Sequence, residues 1–204
     1  MAAQGAEFWP LRLARELDDA ILDIRLNEFD TAVIVFKSEG DPEAVLAYDK
    51  FLAQNARHWL VREIALKWKR VLKRVDLTSR SLVTLIEPGS CFAGFLAELV
   101  FASDRAYMLI GRMEGDNRPP AAIMLGEANL GQLPMSNGLS RLATRFLGEP
   151  QSVEAARKAV GEKARSLIST RKRACNPRSS SRRSAECTAL DSTALTLRNG
   201  LRAG

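Results

Sequence analysis

The chain has 204 residues, 46% of them apolar and 26% charged, with 30 Lys+Arg against 24 Asp+Glu for a net charge of +6 and a pI near 9.5. That is too apolar for a wholly disordered chain, and long enough for one sizeable core or a core with an appendage. No apolar run approaches the roughly 20 residues that cross a bilayer, no basic and apolar leader opens the chain, and Cys91, Cys175 and Cys187 are spaced for neither a disulfide framework nor a metal knuckle. A cytoplasmic address is the expectation, without membrane or metal.

Pro10 to Asn27 reads as a helix opened by a proline, with Leu13, Leu17, Ile21 and Ile24 on one apolar face and Arg15, Asp18, Asp19 and Asp23 pointing elsewhere. Thr31 to Phe36 (TAVIVF) has the continuous β-branched character of a strand covered on both faces. Helices over Pro42 to Asn55 and Arg57 to Val75 follow, the second long and basic. A second buried strand is expected over Arg80 to Ile86, stopped by Pro88-Gly89. Phe92 to Ser103 reads as an apolar helix, Ala106 to Ile110 as a short strand, Gly115 to Pro120 as a loop and Ala121 to Leu125 as a further strand. Met135 to Leu147 and Val153 to Leu167 read as closing helices. Apolar strands alternating with helices predict an α/β domain built on a parallel sheet.

The charge is not spread evenly. Residues 161–204 hold ten of the basic residues and three of the acids, a surplus of +7, and leave residues 1–160 at −1. From Ser169 to Cys187 (STRKRACNPRSSSRRSAEC) neither helical nor strand periodicity is visible, and few large apolar residues offset the entropy of ordering. The chain therefore divides into a domain over 5–160 and a basic Ser/Arg tail over 161–204 that is expected to be disordered. A nucleic-acid partner is not expected, because the domain itself carries no basic surplus.

Among groups that carry chemistry, His58 and Cys91 have no nucleophile motif around them, although Cys91 stands at a strand-to-helix turn that can lower a thiol pKa. Lys67-Trp68-Lys69-Arg70-Val71-Leu72-Lys73-Arg74 puts five cations on one helix, as a solvated face or as a seat for the phosphates of an acidic ligand. The segment Ile86 to Asp104 (IEPGSCFAGFLAELVFASD) leads a buried strand through small residues into a helix, so that backbone N–H groups near Gly94 and Phe95 suit a developing oxyanion. Glu98 sits inside that apolar helix, as a surface residue or a carboxylate facing a pocket. Glu127 follows the strand AAIML. Two carboxylates from separate elements beside an oxyanion site can orient and activate water.

Glu98-Leu99 with Asp104, and Glu127 with the block Leu133-Pro134-Met135-Ser136-Asn137-Gly138-Leu139-Ser140-Arg141-Leu142, resemble motifs of the crotonase (enoyl-CoA hydratase/isomerase) superfamily. Within it, FWPLRLARELDDAIL (8–22), HWLVREI (58–64), SRSLVTLIEPGSCFAGFLAEL (79–99) and SRLATRFLGEP (140–150) are similar to the benzoyl-CoA-dihydrodiol lyases, over about residues 5–160. The resemblance implies opening of the ring of 2,3-epoxybenzoyl-CoA by water, giving 3,4-dehydroadipyl-CoA semialdehyde and formate in aerobic benzoate degradation. No metal or redox cofactor is implied, coenzyme A being part of the substrate.

Such enzymes hold two crotonase-like portions. The resemblance places this chain in the second, as an incomplete domain whose missing N-terminal partner portion carries the conventional glycine-rich site. Glu98 and Glu127 fall on catalytic positions and Gly94 and Phe95 on the oxyanion turn; Gly40, in Ser38-Glu39-Gly40-Asp41, matches the first-strand oxyanion motif loosely, and Arg70 and Lys73 are candidates for the CoA phosphates. Phe95-Leu96-Ala97 stand where crotonases carry glycines, so Phe95 is expected to narrow a thioester slot. The alternative is a non-catalytic scaffold for the missing half. A folded continuation is implied beyond residue 160, where the Ser/Arg tail instead reads as out of register, as a shifted reading frame would leave it. The isolated chain is expected to be inactive, and homo-oligomerisation stays open.

Overall fold

The computed structural model describes residues 1, 3–110, 115–165 and 193–198. Helix α1 (Trp9–Leu26) leads into strand β1 (Val33–Glu39); helices α2 (Pro42–Gln54) and α3 (Trp59–Asp76) then cross to strand β2 (Ser81–Ile86), and α4 (Gly94–Ala102) to β3 (Arg105–Met108). β1 pairs in parallel with β2, setting Ile34 against Leu82 and Phe36 against Thr84, and β2 pairs in parallel with β3. The chain is thus an α/β fold with helices packed on a parallel sheet. Strand β4 (Ile123–Met124), helices α5 (Arg141–Arg145) and α6 (Pro150–Lys158) and strand β5 (Lys163–Ala164) follow, β4 and β5 forming an antiparallel pair. Strand β6 (Thr193–Arg198) lies parallel to β1 on the free edge of the main sheet.

The first three helices start where their sequences provide a stop for the exposed N–H groups. Pro10 stands in the first turn of α1, the Asp41 carboxylate accepts the Glu43 N–H at 2.9 Å at the head of α2, and His58 Nδ1 accepts the Leu60 N–H at 3.2 Å at the head of α3. His58 is therefore a helix cap. Leu13, Leu17, Ile21 and Ile24 of α1 meet Ile64, Trp68, Val71, Leu72 and Val75 of α3 in one core cluster. Trp68 Nε1 donates to the Pro10 carbonyl at 3.0 Å, so the indole satisfies its polar atom while filling the core. Asp18, read as lying off the apolar face, is nonetheless buried and takes Lys67 Nζ at 2.5 Å and the Arg74 guanidinium, which cross-link α1 to α3.

Three other expectations change. The β1 strand is fully buried on one face (Ile34, Phe36) and half-buried at Val33, Val35 and Lys37, so the helices cover its two faces unequally. The expected helix over Met135 to Leu147 shrinks to α5, because Asn137-Gly138 makes a turn with Gly138 at φ +84 and Ser140 then caps Ala143 N–H. The expected helix over Val153 to Leu167 ends at Lys158, where Gly161 at φ +86 turns the chain into β5. Described structure thus runs past residue 160, and of the segment 161–204 all but residues 161–165 and 193–198 lies outside the described residues.

Candidate functional site

The turn from β2 into α4 is tied down before the helix begins. The Gly40 N–H at the end of β1 donates to the Gly89 carbonyl at 3.0 Å, and the Cys91 N–H donates to Ser38 Oγ at 3.0 Å. Gly40 thus serves to knit the carboxyl ends of β1 and β2. Burial pushes the Cys91 thiol up to about 11, Ser38 acting against that, so the lowering that a helix head can bring does not occur and Cys91 is a small buried residue. Met124 N–H donates to the Phe92 carbonyl at 3.1 Å, and Ala93 bridges Met124, which brings Gly126 beside Gly94.

Gly94 opens α4 at φ +46, a left-handed conformation that glycine adopts without strain. Phe95 follows, and its ring turns into the core against Trp68 at 4.8 Å and Trp9 at 5.7 Å between centroids. The expectation that Phe95 narrows a thioester slot is corrected on that ground, since its ring is an interior packing group.

Glu98 is 1% exposed, and both of its oxygens are taken. Asn129 Nδ2 donates to Oε1 at 2.7 Å and Arg141 Nη1 to Oε2 at 3.0 Å. Arg141, also 1% exposed, makes a bidentate pair with Asp76 through Nε at 2.9 Å and Nη2 at 2.6 Å, and gives a further bond to the Leu133 carbonyl at 2.8 Å. Asn129 completes the lattice by donating to the Gly94 carbonyl and accepting the Gly126 N–H, each at 2.9 Å. Burial raises the Glu98 carboxyl above the usual range, with Asn129 and Arg141 pulling it back. Glu98 is neither a surface residue nor a carboxylate facing a pocket, but a strut joining α4, α5, the end of α3 and the turn after β4. Asp104, at the far end of the same motif, accepts the Leu82 N–H at 2.8 Å and ties the head of β2.

Glu127 has the opposite character. It opens a short 3-10 turn, Glu127–Leu130, and is exposed. Of the two carboxylates expected to act together, the structure leaves one accessible to solvent and locks the other away.

Sequence reading missed Asp49, which reaches this place from α2. It is 7% exposed, accepts the Ala128 backbone N–H, and lies against both glycines. A Cβ on Gly94 would stand 2.9 Å from Asp49 Cγ, and one on Gly126 would stand 2.1 Å from Asp49 Oδ2. Burial is the main cause that pushes the Asp49 carboxyl up to about 6; Glu127 adds to it and the Ala128 N–H opposes it. Gly126→Ala is expected to force that carboxyl aside and cost about 1–3 kcal/mol, read as a lower Tm. The loss should shrink in an Asp49→Ala background, and an unchanged Tm for Gly126→Ala alone would contradict this packing.

Arg70 and Lys73 line a different feature, a groove of about 650 Å³ along the outer side of α1 and α3, with Leu11, Arg15, Glu63, Leu66, Lys67 and Lys69. Its five cations face the single acid Glu63, and Arg15, Lys69, Arg70 and Lys73 make no salt bridge among the described residues. Burial holds the Lys67 ammonium below its usual value, and Arg70 and Arg15 add to that against Asp19. The described residues include no helix long and apolar enough to cross a membrane and no group of three His, Cys, Asp or Glu placed to hold a metal.

No protein-family model matches the chain. It is 47% identical over 159 residues to the benzoyl-CoA-dihydrodiol lyase of Aromatoleum evansii, a match that takes in 78% of this chain and 28% of that lyase. The chain thus spans little more than a quarter of the curated relative's length. Identity at that level over that many residues reflects common descent: over its matched residues the chain is a relative of benzoyl-CoA-dihydrodiol lyase, similar to one segment of it.

Proposed function

We propose that the chain serves the water-driven ring opening of 2,3-epoxybenzoyl-CoA, with 3,4-dehydroadipyl-CoA semialdehyde and formate as products, as one portion of a crotonase-type lyase. The observation that carries this reading is the 47% identity to a benzoyl-CoA-dihydrodiol lyase, since an α/β sheet alone assigns no chemistry. Glu127 is the carboxylate we assign to water, because it is exposed beside the head of α4. Glu98 we assign to structure. The unpaired cations of the α1–α3 groove, Arg70 and Lys73 among them, suit the phosphates of coenzyme A. No metal or redox cofactor enters the reaction in this reading, and a second crotonase-like portion supplies the remaining groups. The chain assayed by itself for formate release is accordingly expected to fall at least about 100-fold short of a full-length lyase, the scale of a lost acid–base group. Full activity from the chain alone would overturn that division of labour.

A second reading has its own support. With Glu98 bound at both oxygens, the segment also fits a scaffold that packs against a separate catalytic portion. Glu127→Gln separates the two, because a scaffold has no use for a solvent-exposed carboxylate at this turn.

A further inference from the structure

Helix α3 carries a second line of side chains, on the side turned away from the core. Trp59, Glu63, Leu66, Arg70 and Lys73 recur at spacings of four and three, the seam spacing of packed helices. Trp59 is 69% and Leu66 49% exposed, although both are large and apolar. At the helical rise the line runs about 21 Å, roughly four turns. From Glu63 onward it lines the α1–α3 groove together with Leu11 and Arg15 of α1, themselves one turn apart. The charge there is lopsided: Arg15, Lys67, Lys69, Arg70 and Lys73 stand against Glu63, in a domain whose residues 1–160 sum to −1. Of these cations only Lys67 has an acid partner among the described residues, the buried Asp18. Exposed Trp and Leu alternating with unpaired Arg and Lys along a groove have the composition of an interface centre.

We propose that this groove docks an acidic amphipathic helix from another portion of the lyase. The apolar side chains of that helix lie against Leu11, Leu66 and Trp59, and Asp or Glu on its flanks meets Arg15, Lys69, Arg70 and Lys73. The proposal rests on the chain being one portion of a larger lyase, and not on where coenzyme A places its phosphates. Phosphates answer the cations, but a diphosphate is much shorter than this line and leaves Trp59 and Leu66 bare. A helix answers the length, the spacing and the charge together.

The test introduces Leu66→Cys into this chain and into the same segment placed within a full-length lyase. Iodoacetamide labelling at residue 66 is followed by peptide mass spectrometry, which separates it from Cys175 and Cys187. Labelling is expected to be at least about tenfold slower in the lyase than in the chain alone. Lys69→Glu combined with Arg70→Glu in the lyase should bring it back to the rate of the chain. As a readout that needs no new cysteine, Trp59→Ser should lower the Tm of the lyase and leave that of the chain unmoved. Equal labelling in a lyase that turns over overturns the docking and leaves the lyase reading standing, whereas a folded lyase that loses turnover on receiving this segment overturns the lyase reading itself. Slower labelling of the chain alone on adding coenzyme A overturns the helix and gives the groove to phosphates. Slowing that grows with the concentration of the chain alone overturns it in favour of a second copy.

Discussion

Arg141→Leu should cost about 3–5 kcal/mol of unfolding free energy, a large part of the roughly 5–15 kcal/mol that holds a typical domain together. Among the described residues the guanidinium is the single cation paired with Glu98 and Asp76, and all three side chains are at most 8% exposed. Removing it leaves two carboxylates in the interior with no opposite charge, and a neutral leucine can accept neither. Glu98 must then protonate, so its already raised pKa rises further. A group whose folded pKa lies above its unfolded value contributes stability that fades as pH rises. The defect of Arg141→Leu should therefore be greater at pH 8 than at pH 5 in denaturant titrations. Arg141→Lys should recover part of the loss, because a point charge cannot reproduce the bidentate fork to Asp76 while also meeting Glu98 and the Leu133 carbonyl. A fully stable, pH-independent Arg141→Leu chain would contradict the network.

The second large effect is a gain. The Asp49 carboxyl is pushed from 3.8 to about 6, so the proton it holds favours the folded state. That contribution is complete below the unfolded value of 3.8 and is lost as pH climbs through about 6, a difference of roughly 3 kcal/mol between acid and neutral solution. Asp49→Asn abolishes the ionisation while keeping an acceptor for the Ala128 N–H. Chemical denaturation at a series of pH values should find the wild type weakening from pH 4 to 7 and Asp49→Asn much flatter. The two should converge near pH 4, with the variant more stable at pH 8. A variant less stable than the wild type at pH 8 would show that the carboxylate is compensated after all.

What was legible in the sequence divides along physical lines. Local signals found α1, α2, α3, β2 and α4 to within a few residues, because each combines an apolar period with a proline, a polar cap or a Pro-Gly stop in the chain itself. Signals failed where a local pattern was overridden. The apolar residues around Leu139 and Leu142 suggest a long helix, but the Asn137-Gly138 turn delays its start to Arg141. The two-residue β4–β5 pair depends on strands distant in sequence, which no periodicity reveals.

The site followed the same rule. Gly94, Phe95, Glu98 and Glu127 were singled out from motif and position; the structure brings Gly94, Glu98 and Asn129 of the Glu127 turn together and turns the Phe95 ring into the core. The fate of Glu98 was not recognisable, because its partners Asn129 and Arg141 come from a turn and a helix far along the chain. Arg141, one of two arginines in the block SRLATRF, carried no mark in the sequence to set it apart as that partner. Asp49 gave none: it sits in a helix with polar neighbours, and the residues it lies against are glycines, which carry no side chain to mark a contact.

The division of roles between the two glutamates is open to one direct measurement. Glu98→Gln and Glu127→Gln are placed in this segment within a full-length lyase, and Tm and ring-opening turnover are recorded for each. The expected result is a split: Glu127→Gln keeps its Tm and loses about 100-fold or more in turnover, while Glu98→Gln loses Tm and retains turnover in whatever fraction stays folded. Undiminished turnover in Glu127→Gln, or a Glu98→Gln enzyme with unchanged Tm and no turnover, would contradict it.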